Sequence, residues 1–139
     1  MTPEALATLH GRCFTVPRTY TAAEFAGFLA SDTCFLCSAA AGFALGRSVA
    51  DEAEILTIAV DPDHRRAGVG RGLLTAFEAQ AKARGAVFIF LEVAAGNDAA
   101  IALYQAARYR ESGRRPGYYR YPNGHREDAV MMEKSLSSS

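Results

Sequence analysis

Apolar positions along the chain switch between helical and alternating spacing, and the switches mark its elements. In residues 3–14, Leu6, Leu9 and Cys13 share one stripe at helical spacing, and Pro17 then interrupts the segment. Thr21 and Glu24 stand at capping-box spacing, which predicts a helix over residues 21–30 with Phe25 and Leu29 inward. Residues 33–38, 42–49 and 54–60 read as strands, the first pair joined by a tight Ala-rich turn. A third helix is expected over residues 69–84, with Leu73, Leu74, Phe77 and Ala81 facing a sheet and Gly85 as its stop. Residues 87–93 form a nearly continuous apolar run, the pattern of a strand buried on both faces and parallel to a neighbour. Asn97 then caps a helix through residue 108, and residues 118–121 and 129–133 read as a closing hairpin around Pro122-Asn123-Gly124. Antiparallel strands followed by a strand–helix–strand unit predict an α/β fold: a mixed central sheet flanked by helices. Residues 1–136 read as a single domain, with Ser137–Ser139 a disordered end.

Composition removes several classes of function. The 139 residues are 50% hydrophobic and 22% charged, with a formal net charge of +0, so no global field attracts nucleic acid or an anionic membrane. No apolar run reaches the length of a membrane span, and a signal-peptide layout is absent, which makes a cytoplasmic protein the expectation. Cys13, Cys34 and Cys37 offer no disulfide framework; Cys34 and Cys37 lie three apart in a strand, facing opposite sides, and read as buried structural thiols. Without a neighbouring His they suggest no zinc site, and no metal is expected. Arg108, Arg110, Arg114, Arg115, Arg120 and Arg126 interleave with Tyr118, Tyr119 and Tyr121; against a neutral chain they read as a solvated face, with no direct nucleic-acid contact expected. Nothing in the sequence speaks to oligomeric state.

The densest chemistry lies between the third strand and the third helix. Asp61-Pro62-Asp63 stops the strand, and a loop then delivers Arg65, Arg66, Gly68 and Gly70 to a helix start. The first amides of a helix lack intrahelical partners and carry the positive end of its dipole, so this bend suits a pyrophosphate. The glycines at 68, 70 and 72 miss a dinucleotide fingerprint by one residue, and Gly-Arg-Gly is not the end of a Walker loop.

Glu92 is the second anomaly, a carboxylate near the carboxyl end of the most apolar strand. It is either the end of the strand in solvent, the partner of Arg114 or Arg115, or a general base where open α/β sheets place their ligands. The Arg65-x-x-Gly68-x-Gly70 loop resembles that of the GCN5-related N-acetyltransferases. The reaction this resemblance implies, attack of an α-amine on a thioester, needs such a base, because an amine of pKa roughly 8 is mostly protonated at neutral pH. A carboxylate in a dry site takes that proton directly or through a water. The departing thiol, with a pKa of roughly 8.5, needs a proton in return. Tyr104 follows Asn97 and Ile101 on one helical face and is the candidate donor; core packing for Tyr104 and simple capping for Asn97 are the competing readings.

Arg65, Gly68 and Gly70 match the Arg/Gln-x-x-Gly-x-Gly/Ala signature, and the chain resembles the GCN5-related N-acetyltransferases. The segments Asp51-Glu-Ala-Glu54, Ile58-Ala-Val-Asp-Pro62, Leu91-Glu-Val-Ala-Ala-Gly-Asn97, Ala99-Ala-Ile-Ala-Leu-Tyr104, Gly113-Arg-Arg-Pro-Gly-Tyr-Tyr119 and Glu127-Asp-Ala-Val-Met-Met132 occur in order. Together they look like the ribosomal-protein-alanine N-acetyltransferases within that superfamily. The resemblance implies acetyl-coenzyme A as the acetyl donor, a protein N-terminus, an alanine of a ribosomal protein, as acceptor, and direct attack in a ternary complex. It implies Glu92 as general base and Tyr104 as general acid. It implies backbone of Ile58, Ala59 and Val60 along the acetyl and pantetheine portion, on an edge left free by splayed strands. The loop Arg65, Arg66, Ala67, Gly68, Val69, Gly70 and Arg71 would hold the pyrophosphate, with Asn97 beside the pantetheine arm.

Four departures bear on the acceptor. Ala94 replaces an arginine, Ala107-Arg108-Tyr109 replaces Leu-Gly-Phe, Tyr20 is the nearest counterpart of a usual Trp, and the chain starts too near its first helix for the customary first strand. A basic acceptor peptide would favour Glu52 and Glu54 as neighbours. An acceptor that is a small amine or a lysine side chain, or a non-catalytic acyl-coenzyme A sensor, stays open at this point.

Overall fold

The computed structural model describes residues 1–13, 20–64 and 68–136. Two helices, α1 (Pro3–Cys13) and α2 (Ala22–Ala30), precede three strands, β1 (Cys34–Ala39), β2 (Gly42–Val49) and β3 (Glu52–Val60). A short 3-10 turn (Pro62–His64) leads towards α3 (Val69–Ala83), β4 (Phe88–Ala94), α4 (Asp98–Ala106), β5 (Arg110–Arg120) and β6 (Arg126–Ser135). The α/β expectation holds: among the described residues six strands form one mixed sheet in the order β1-β2-β3-β4-β6-β5, with only the β3–β4 pair parallel. Among the described residues no strand precedes α1 and α2. No helix among them is long and apolar enough to cross a membrane. Pro17 and the Ser137–Ser139 end lie outside the described residues.

Each face of the sheet buries its own core. α3 and α4 cover one side, where Leu73, Leu74, Phe77 and Ala81 meet Ile55, Ile89, Leu91 and Val93. α1 and α2 cover the other, where Leu6, Leu9 and Phe25 meet Phe43, Leu45 and Ala59. Phe25 lies edge-on to Phe43 with centroids 5.6 Å apart, a favoured aromatic geometry. The predicted capping box forms: the Thr21 hydroxyl accepts from the Glu24 amide and the Glu24 carboxylate from the Thr21 amide, both at 3.1 Å. The thiols correct the reading of buried cysteines, since all three are free and only half-buried.

Two irregularities set up the site. On β3, the pairing with β2 passes from Leu45↔Thr57 to Gly46↔Ile55, so Leu56 bulges out of the ladder. The bulge re-aims the strand: Ile55, Ile58 and Val60 join the α3–α4 core, whereas Leu56 and Ala59 join the α1–α2 core. Gly46 is obligatory beside it, because a Cβ there would collide with the Phe77 ring and come within 2.8 Å of the Glu54 carbonyl oxygen. The second irregularity is larger. β3 pairs with β4 only through Glu52↔Phe88, Ala53↔Ile89 and Glu54↔Phe90, after which the two parallel strands part.

Candidate active site

The splay beyond Glu54 and Phe90 opens a cavity of about 650 Å³ between the two strands. β3 contributes Glu54, Thr57 and Ile58, β4 contributes Glu92 and Ala94, α4 contributes Tyr104 and its N-cap contributes Asn97. His10, Tyr20, Tyr118, Tyr119 and Arg120 close it from the α1–α2 and hairpin side. Below the fork β4 fills the gap beside β3; above it that edge of β3 has no strand beside it, and an extended ligand carrying amides can pair there.

The implied β3 residues behave differently from one another. Ile58 lines the cavity, Ala59 is 1% exposed and packs into the α1–α2 core, and the Val60 carbonyl accepts from Cys13 Sγ at 3.2 Å. Any role of Ala59 there falls to its backbone.

At the other end of the same strand, α3 begins with Gly68 in the left-handed region at φ +78°, a conformation that favours glycine. No side chain caps this helix and its first turn carries no acid, in contrast to the closed capping box of α2. Among the described residues the amides of Val69, Gly70 and Arg71 have no partner, and they stand at the positive end of a 15-residue helix. Gly70 permits close packing: a Cβ there would lie 3.3 Å from Leu103 of α4. The neighbouring acids are already neutralised, Arg12 bridging Asp61 at 3.1 Å and Asp63 at 3.3 Å. The Asp63 amide, then Arg12, holds the Asp61 carboxyl below its usual range. Arg65, Arg66 and Ala67 lie outside the described residues. What the structure describes of this loop fits a pyrophosphate.

Glu92 is neither dry nor unpaired. Its side chain is 27% exposed, and Arg115 from β5 stands 3.4 Å from Oε1. Of the two arginines considered from sequence, Arg115 is the partner, while Arg114 bridges Glu111 and Asp128. Oε2 of Glu92 carries no hydrogen bond among the described residues and is left for a ligand or a water.

Tyr104 is 6% exposed, and its hydroxyl makes no hydrogen bond among the described residues. Since no buried side-chain oxygen there is left unpartnered, that hydroxyl opens onto the cavity the residue lines. Burial pushes its proton affinity well above the ordinary tyrosine range. Its backbone is fixed as tightly as its ring. The Tyr109 amide donates to the Tyr104 carbonyl at 2.9 Å and the Arg108 amide to Gln105 at 2.9 Å, closing α4 with a Schellman turn. Tyr109 packs on Tyr104 at 5.7 Å between centroids, and its hydroxyl is anchored on Glu78, which also holds Lys134 at 2.9 Å.

Asn97 does two jobs. Its Oδ1 accepts from the Ala100 amide at 3.2 Å and so caps α4, while the residue also lines the cavity with no bond to its Nδ2 among the described residues. Glu54 faces the cavity too, bound to Arg47 at 2.7 Å, whereas Glu52 is exposed and away from it.

From the sequence Tyr119 stood only within the arginine- and tyrosine-rich segment, with no place in the site. It is 8% exposed, lines the cavity, and has no hydrogen bond to its hydroxyl among the described residues. Burial first, then the charge of Glu92, pushes its pKa up to about 12. Strand alternation from the exposed Tyr118 carried the signal, since it turns Tyr119 to the opposite face. Glu127 braces the floor nearby, accepting from the Gly96 amide and from the Tyr121 hydroxyl.

Known proteins share this arrangement. The family model described as acetyltransferase (GNAT) family matches residues 4–108. Over 97 residues the chain is 45% identical to the ribosomal protein bS18-alanine N-acetyltransferase of Salmonella typhimurium, covering 70% of this chain and 65% of that relative. The match therefore spans a little under two thirds of the relative's length. The crystal structure of the ribosomal-protein-S18-alanine N-acetyltransferase from Escherichia coli superposes with a TM-score of 0.85 at 33% identity, covering 99% of this chain and 89% of that one. Arabidopsis thaliana NAA60 in complex with acetyl-CoA shares the fold at a TM-score of 0.83 and 18% identity, covering 99% of this chain and 94% of that one. A parted parallel strand pair, an uncapped Gly-led helix and a match over most of its length converge on one assignment: this chain belongs to the acetyltransferase (GNAT) family.

Proposed function

We propose that the chain is an acetyl-coenzyme A-dependent N-acetyltransferase acting on the α-amine of a protein N-terminus, an N-terminal alanine of a ribosomal protein. The carrying observation is the fork between β3 and β4, which frees a strand edge and gathers Glu92, Tyr104 and Tyr119 around one cavity. Acetyl-coenzyme A supplies the acetyl group as a thioester. In this reading the amides of Val69, Gly70 and Arg71 hold the pyrophosphate, with Arg65, Arg66 and Ala67 beside it on the resemblance alone. The backbone of Ile58, Ala59 and Val60 and the amide group of Asn97 flank the pantetheine arm.

Oε2 of Glu92 takes the ammonium proton, directly or through one water, while Arg115 fixes Oε1. The freed nitrogen forms a bond to the acetyl carbon as the carbon–sulfur bond breaks, the sulfur leaves with the electron pair, and the nitrogen gives up its surplus proton to solvent to become the amide. Tyr104 stays protonated through the neutral range, and its proton affinity exceeds that of a thiolate of pKa roughly 8.5. It therefore stabilises the sulfur by donating a hydrogen bond, and solvent completes the protonation. Holding amine and thioester together supplies about 7–11 kcal/mol, more than the 10²–10⁴-fold typical of proton transfer.

The test is thiol release from acetyl-coenzyme A with an alanine-initiated peptide, the same peptide N-terminally blocked, and a panel of small amines. Turnover confined to the free peptide supports the proposal. Turnover confined to small amines overturns the acceptor, and coenzyme binding without turnover on any of them overturns the enzyme. Glu92→Gln is expected to lower turnover most at neutral pH and to recover in part at high pH; a rate equal to wild type at every pH removes Glu92 from the reaction.

A further inference from the structure

The closing hairpin carries a charge arrangement that acetyl transfer does not use. Arg120 and Arg126 are direct cross-strand partners at the last β5–β6 pair, like charges placed opposite one another at a cost to the hairpin. Neither makes an ion pair or a hydrogen bond among the described residues. The acids close in sequence are committed elsewhere: Glu127 to Gly96 and Tyr121, Asp128 to the Gly117 amide at 2.9 Å and to Arg114 at 3.5 Å. The hairpin and its approach, residues 108–135, hold six arginines and one lysine against three glutamates and one aspartate. Arg110, Arg114 and Arg115 are already ion-paired, so within the hairpin Arg120 and Arg126 carry the uncompensated positive charge. Tyr118 is 50% exposed on the same strand, with the Arg115 guanidinium 5.3 Å from its ring centroid.

Arg120 also lines the cavity, which places this cationic rim at the mouth of a site that holds Glu54 and Glu92. A cationic amine is complementary to those acids and a polyanion to the rim. We propose that the β5–β6 hairpin docks single-stranded RNA, Arg120 and Arg126 binding phosphates and Tyr118 stacking on a base. The acceptor N-terminus would then be presented from a ribonucleoprotein. The presentation rests on the acceptor proposed above; the RNA contact does not. Paired arginines beside an exposed tyrosine favour RNA over an acidic peptide, because guanidinium forks match phosphates and an open ring offers a stacking surface.

The experiment is fluorescence anisotropy of a labelled single-stranded RNA 20-mer against the full chain, from about 25 to 200 mM salt, with no acetyl transfer involved. Wild type is expected to bind with a steep salt dependence. Arg120→Ala with Arg126→Ala should weaken binding at least ten-fold at the lowest salt and reduce the log–log salt slope by about 1.4, or about 0.7 for each lost phosphate contact. Arg126→Glu is the second variant. It creates an opposite-charge pair with Arg120 and should raise the melting temperature while RNA binding falls, a combination that damage to the fold cannot produce. Tyr118→Ala should weaken binding with the slope unchanged. RNA affinity that is undetectable at low salt, that survives these variants, or that a poly-glutamate peptide of equal charge competes away as well as unlabelled RNA, overturns the proposal. Loss of the acetyltransferase reading would leave the RNA titration unaffected.

Discussion

Arg108 sits at φ +74°, in the left-handed region, at the residue that closes the Schellman turn of α4. A side chain with a Cβ pays about 1–2 kcal/mol for that conformation. Glycine removes the clash, at the cost of about 0.4–1 kcal/mol for its greater freedom in the unfolded chain. The Arg108 side chain is exposed and makes no ion pair or hydrogen bond among the described residues, so its truncation forfeits no polar contact. Arg108→Gly should therefore stabilise the fold by about 0.5–1 kcal/mol, which for a chain of this size raises Tm by about 2–5 °C. The measurement is thermal and urea unfolding of wild type, Arg108→Gly and Arg108→Ala side by side. The alanine variant keeps the Cβ and should stay within about 0.5 kcal/mol of wild type. Ala50, at φ +55° in the two-residue turn between β2 and β3, offers a second site where glycine should stabilise for the same reason. A gain from Arg108→Ala equal to that from Arg108→Gly would refute the backbone argument and assign the effect to charge. A loss from Arg108→Gly would mean that the side chain contributes to stability.

Three further outcomes follow from the site and its supports. Tyr119→Phe should lower peptide-dependent thiol release by about 2–12-fold, the worth of about 0.5–1.5 kcal/mol in one hydrogen bond, with coenzyme affinity held; turnover equal to wild type would return Tyr119 to packing. Gly46→Ala should cost at least about 1–3 kcal/mol by forcing a Cβ against Phe77 and the Glu54 carbonyl, read as a fall in Tm, and an unchanged Tm would show that the bulge relaxes at no cost. His10 is stacked on Tyr20 and buried, and burial lowers its pKa from 6.5 to about 4. The unfolded chain thus binds the proton first as pH falls. Stability should be fully present above pH 6.5 and decline towards pH 4, and His10→Phe should flatten that part of the unfolding profile.

The elements that could be read from the sequence were those whose pattern is produced by burial on a sheet face. The run at Val87 to Val93 became β4, and Leu73, Leu74, Phe77 and Ala81 on α3 all reached the core. β5 was foreshortened to its tyrosines for an equally physical reason. It is the edge strand, so most of Arg110–Arg120 is exposed, and Pro116 and Gly117 sit within a break of its register. Neither alternation nor β propensity survives there. The bulge at Leu56 was invisible because its cause is not local. It follows from two cores that must be fed by one strand, with Gly46 on the neighbouring strand making room. A period-two reading puts Ile55, Thr57 and Ala59 on one face, whereas the bulge separates Ile55 from Ala59.

The site shows the same division between what a residue is and what stands beside it. Glu92 was conspicuous as a carboxylate in an apolar strand, and of the surroundings left open for it, solvent, an arginine partner or a dry site, the structure gives partial exposure and the arginine. The reason is the fork itself: beyond Phe90 strand β4 loses its β3 neighbour, and the space admits solvent and Arg115 from the hairpin. Apolar composition on one strand reports burial only while the next strand stays paired with it. The consequence reaches the chemistry. A carboxylate held at Oε1 by Arg115 is oriented by its partner rather than by a tight apolar pocket, so in the proposed reaction the hairpin would set the base as well as flank the acceptor. Truncating Arg115 should therefore change the pH profile of turnover as well as acceptor affinity. Truncating Arg114, whose contacts are to Glu111 and Asp128, should leave that profile unchanged. A profile that responds equally to both, or to neither, would separate Glu92 from the hairpin and remove the link between acceptor docking and proton removal.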